Sequence, residues 1–82
     1  MMKHRLLFYV HPRDEARCLD EVIKRGGTLA TIQPEDEDSH HFIAHEAYFD
    51  NLEQVNHFIY SCYSFIGLYF YVKRLEYVKI AF

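Results

Sequence analysis

The chain has 82 residues, of which 50% are hydrophobic and 17% aromatic; this excludes the polar, ring-poor composition of a disordered segment and predicts one small folded domain over residues 1–82. Nine Lys and Arg against twelve Asp and Glu leave a formal charge of −3, which argues against a nucleic-acid partner, because phosphate binding needs a basic face. Seven Tyr and seven Phe are many rings for so short a chain and point to a surface that something else covers.

Cys18 and Cys62 are two isolated thiols without CxxC spacing, so a reducing, cytoplasmic compartment is expected, with both thiols buried and inert. The apolar run Leu6 to Val10 is shorter than a signal-peptide core, and the uncharged run Phe58 to Val72 falls short of a membrane span, so no membrane role is expected. Six histidines would carry the net charge through zero below neutral pH, since an unperturbed imidazole titrates near about 6.5.

Arg5 to Val10 is short, rich in strand formers and apolar on both faces, as an inner strand requires. Pro12 suits a first helical turn, Asp14 and Glu15 suit the positive end of the helix dipole, and Lys24 and Arg25 the negative end. These signals, with Gly26 and Gly27 as a left-handed stop, predict a helix over about residues 13–25 that buries Ala16, Leu19, Val22 and Ile23. Thr28 to Gln33 reads as a second strand, closed by Pro34.

Glu35, Asp36, Glu37 and Asp38 form an acidic hairpin tip, and His40 to Phe49 reads as a third strand. Asp50 with Glu53 makes a capping box for a helix that buries Leu52, Val55, Ile59, Cys62, Tyr63 and Ile66 and stops at Gly67. Leu68 to Lys73 alternates as a strand, and Tyr77 to Phe82 is strand-like again. No favoured hairpin turn joins them, so the tail is either two strands or one long bent strand.

The order β-α-β-β-α-β resembles the ferredoxin-like superfold, an α+β sandwich with two helices on one face of an antiparallel sheet; here an extra C-terminal strand is possible. Such a sheet leaves one face open. Burying Ile43, Ala47 and Phe49 of the third strand buries His45, which can be neutral, whereas the opposite choice buries the Glu46 carboxylate at greater cost. The open face then carries Leu7, Tyr9, Phe42, Ala44, Glu46, Tyr48, Tyr69 and Tyr71. That patch predicts a partner, either a second copy in a two-fold homodimer or another protein.

His40, His41 and His45, with Glu46 or Glu37, invite a metal reading. On a strand, however, His41 and His45 stand about 13 Å apart, too far to share one ion, so no metal and no cofactor is expected. RNA-recognition motifs also place aromatics across central strands, but His41 to Phe49 lacks their Lys/Arg-Gly-Phe signature. A small enzyme could use His45 with Tyr63, or His57 with Tyr60, in a cleft between sheet and helices. Size and topology also resemble amino-acid-binding ACT domains, which would imply ligand sensing; their Asp-Arg-Pro-Gly-like turn is answered here by His11-Pro12-Arg13-Asp14 without the glycine. The leading expectation is a non-enzymatic interaction module, a regulator, inhibitor or subunit, which binds through the aromatic sheet face and the acidic tip.

Overall fold

A computed structural model describes residues 1–34, 41–65 and 69–80. The expected acidic tip at Glu35, Asp36, Glu37 and Asp38 lies outside the described residues, as do His40, Ile66 and Gly67. The elements run β1 (Met2–Val10), a 3-10 turn (Pro12–Asp14), α1 (Glu15–Lys24), β2 (Thr28–Leu29), β3 (Ile43–Phe49), α2 (Leu52–Phe65) and β4 (Phe70–Lys79). The four strands form one antiparallel sheet in the order β2-β3-β1-β4. Both helices lie on one face, as in a ferredoxin-like sandwich.

The local signals explain the ends of α1. Pro12 opens the 3-10 turn and His11 caps it, its Nδ1 accepting from the Arg13 amide at 3.0 Å. At the other end the Gly27 amide donates to the Val22 carbonyl and the Gly26 amide to that of Ile23. This is a Schellman closure, and it needs the left-handed Gly26, with φ of 84°. A Cβ on Gly27 would stand 2.5 Å from Cε1 of Phe49, so that ring packs directly on the backbone.

The helix faces are rotated from the expected ones. On α1 the inward residues are Cys18, Glu21 and Val22, while Ala16 and Ile23 face solvent. The rotation turns α1 toward α2, where Arg25 donates to the Ser61 hydroxyl at 2.8 Å and pairs with Glu21 at 3.4 Å. On α2 the buried residues are Val55, Phe58, Ser61 and Cys62, with Leu52 and Tyr63 exposed. The cap is set one residue later than expected: the Asn51 side-chain Oδ1 accepts from the Gln54 amide, and the Gln54 side chain accepts from the Asp50 amide. Asp50 pairs with Lys3 instead.

Two strands are shorter than the sequence suggests. Ladder pairing in β2 ends at Leu29, with one further bond from the Ala30 amide to the Glu46 carbonyl, after which Ile32 turns outward. β3 begins at Ile43, because His41 adopts a positive φ of 61° that interrupts extended backbone. The C-terminal alternatives resolve into one strand. β4 runs beside the whole of β1 with a bulge at Lys73: Val72 faces Phe8, Arg74 faces Leu7, and Lys73 is the extra residue.

The core lies between the sheet and the helices. Leu6, Phe8 and Val10 of β1 meet Ala47 and Phe49 of β3, Phe70 of β4, and Cys18, Val22, Val55, Phe58 and Cys62 of the helices. Phe58 is its hub, with ring centres 5.3 Å from Phe8, 5.5 Å from Phe49 and 5.7 Å from Phe70.

Candidate interaction surface

The inward and outward sets on β1 and β3 fall as the cost of burying Glu46 predicts. Leu6, Phe8, Ala47 and Phe49 point to the helices; Leu7, Tyr9, Ala44, Glu46 and Tyr48 point away from them. The open face divides into three parts: a ring cluster, a charged strip and a groove.

The ring cluster is at the end of the sheet where β1 finishes. Tyr9 stacks on Tyr71 with ring centres 4.8 Å apart, Phe42 lies 5.7 Å from Tyr71, and the Lys73 ammonium donates to the Tyr9 hydroxyl at 3.1 Å. Tyr9 is consequently 2% exposed, Ala44 2% and Leu7 7%. Much of the face expected to need a partner is therefore closed from within the chain. Tyr69 stands at the corner below this cluster, where it meets His11 and carries the Arg13 guanidinium over its ring at 3.9 Å.

The charged strip crosses the other end of the face. Arg5 and Arg74 both bond Glu76, whose carboxylate holds the Arg5 guanidinium pKa above its ordinary value through the hydrogen bond they share. Beside this strip, at the β2 edge, lies a groove of about 740 Å³. Lys3, Thr28, Glu46, Tyr48 and Ile80 form its floor and sides, and the segment from Ala30 to Pro34 forms its wall. Glu46 and Tyr48, both expected at a partner site, thus come together here, whereas Tyr9, Phe42 and Tyr71 belong to the separate ring cluster. Ile32, which the run Thr28 to Gln33 placed inside the expected second strand, is 83% exposed at the groove.

The histidines are dispersed. His45 lies under the helix side, its Nε2 2.7 Å from Oε2 of Glu15 and its ring 5.9 Å from Phe8. His41 is exposed on the turn before β3. Among the described residues, no group of three His, Cys, Asp or Glu side chains stands close enough to hold one metal ion. Tyr63, expected beside His45, packs on Phe70 instead, and His57 and Tyr60 are both solvent-exposed. The two cysteines are not isolated: Sγ of Cys18 lies 3.7 Å from Sγ of Cys62 across the helix interface, and both residues are fully buried. The shared hydrogen bond and burial push the Cys18 thiol pKa far up, which keeps it from acting as a nucleophilic thiolate.

Among the described residues no helix is long and apolar enough to cross a membrane. No family model, no curated protein and no solved structure matches the chain.

Proposed function

We propose that this chain acts by binding rather than by catalysis, as an interaction module that takes an extended, basic segment of another protein into the groove at the β2 edge. The observation that carries this reading is the meeting of Glu46, Tyr48 and the exposed Ile32 around one groove on the sheet face without helices. Ile32, Pro34, Tyr48 and Ile80 supply apolar contact for alternate side chains of an extended segment. Glu46 supplies an acid in the floor. The chain then continues from Pro34, in the groove wall, straight into Glu35, Asp36, Glu37 and Asp38, a local charge that would steer a basic partner. Lys3, the cation lining the groove, is offset by its pair with Asp50.

Fluorescence anisotropy with labelled extended peptides that alternate Lys or Arg with aliphatic residues tests the proposal. Wild type is expected to bind them more tightly than acidic peptides of the same pattern. Tyr48→Glu and Glu46→Lys should each weaken that binding about tenfold, as loss of a central aromatic anchor or a charge partner does. Equal affinity for basic and acidic peptides, or unchanged affinity in both variants, would sink this reading.

A further inference from the structure

The edge opposite the groove is made by β4. Among the described residues this ten-residue strand pairs only with β1, so its outer side presents a row of backbone donors and acceptors. Natural sheets blunt such an edge with bulges, lysines or short strands. In β4 the bulge at Lys73 blunts the first half. The second half runs in regular register beside Leu7 to Met2. On its helix-side face Leu75 is 42% and Tyr77 60% exposed, so the helices leave this part of the sheet uncovered.

We propose that this edge pairs with β4 of a second copy, antiparallel about a two-fold axis at Leu75, to give a continuous eight-stranded sheet. The register follows from the charges. A two-fold axis normal to the sheet keeps each face on its own side, so the axis must pass through a residue position. Centred on Leu75, it places Arg74 of each copy opposite Glu76 of the partner subunit and sets the two Leu75 side chains against each other, with Tyr77 on the diagonal. Centred on Glu76, it would set two carboxylates face to face. Centred on Tyr77, it would spend Arg74 on Ile80 and Leu75 on Lys79. Opposite charges directly across a strand pair stabilise it and like charges oppose it. Arg74 and Glu76 already share one face, 2.9 Å apart, with Arg5 holding the same carboxylate, so the groups that would cross the junction are in position beforehand. Regular pairing in this register runs from Arg74 to Glu76; beyond it Lys73, at the margin of the ring cluster, falls opposite Tyr77 of the partner subunit. The groove residues Glu46, Tyr48 and Ile32 lie away from this edge, so the dimer can be tested separately from peptide binding.

Sedimentation equilibrium on the full chain, taken into the high-micromolar range, should give an average mass rising from 9.9 kDa toward twice that value. Arg74→Glu and Glu76→Arg, confirmed as folded by circular dichroism, should each weaken self-association about tenfold, and the two together should restore it because the opposed charges are exchanged rather than lost. Leu75→Cys reads the same contact without altering charge. Under glutathione disulfide it should form a disulfide-linked dimer, while Lys79→Cys, well away from the axis, should not cross-link. A mass of one chain throughout, a dimer indifferent to both charge reversals, a double variant as weak as either single one, or equal cross-linking at residues 75 and 79 would each overturn the proposal.

Discussion

On the helix side of the sheet, Phe8 is closed in by Phe58 and Phe70, rings delivered by another element and another strand. One residue further along β1, on the other side, Tyr9 is closed in nearly as completely by Tyr71, Phe42 and the long side chain of Lys73. Among the described residues, no helix takes part. A sheet face without a covering layer can thus be finished by its own longest side chains when they come from neighbouring strands in register, here Tyr9 opposite both Ala44 and Tyr71. Aromatic surplus in a sequence therefore does not translate directly into surface awaiting a partner. In this molecule the groove and the β4 strand that carry the two proposals lie toward the two edges of the sheet.

The severest test of the contrast is Phe58→Ala. It removes the ring that joins Phe8, Phe49 and Phe70 and should cost about 3–5 kcal/mol in a denaturant titration. A loss below about 2 kcal/mol would mean that the helix layer is not what closes this side. Tyr9→Ala should cost less, about 2–3 kcal/mol, because the ring is buried against neighbouring strand side chains with no described helix over it. Were it to cost under about 1 kcal/mol, the self-made cover over Tyr9 would be refuted. The smallest effect belongs to the polar end. Lys3→Ala breaks an exposed pair with Asp50 and should shift stability by less than about 0.5 kcal/mol, with the shift shrinking further in high salt.

What the sequence made legible was the part governed by strong local or one-way costs. Pro12 and the Gly26-Gly27 pair marked the first helix, and the expense of burying Glu46 chose the sheet face correctly. Helix rotation was less readable. Phe58 and Ile59 are adjacent and both apolar, so periodicity alone could not say that Phe58 would be the hub and Ile59 only half-buried. The α2 cap falls one residue from the expected Asp50 with Glu53, because Asn51 beside Asp50 is an equally good capping side chain and takes the Gln54 amide, while the Gln54 side chain takes the Asp50 amide. The approach of Cys18 to Cys62 had no spacing signal at all, since it depends on how two helices lie side by side. At the candidate site, Glu46 and Tyr48 could be named from alternation, but Ile32 could not, because its apolar character suited a strand that stops at Leu29.

The Lys73 bulge also sets the numbering frame of β4. Before it, odd-numbered Tyr71 lies on the open face; after it, even-numbered Arg74, Glu76 and Val78 do. The strand is in effect written in two frames, which is why its alternation looks broken when read straight through. Deleting Lys73 would leave Val72 beside Phe8 and Arg74 beside Leu7 in unbroken alternation, so the distal half would keep its faces and Glu76 its place beside Arg5. What such a deletion would remove is the ammonium that reaches the Tyr9 hydroxyl. The extra residue thus matters for the side chain it delivers to the ring cluster, and the ladder beside β1 would survive its loss.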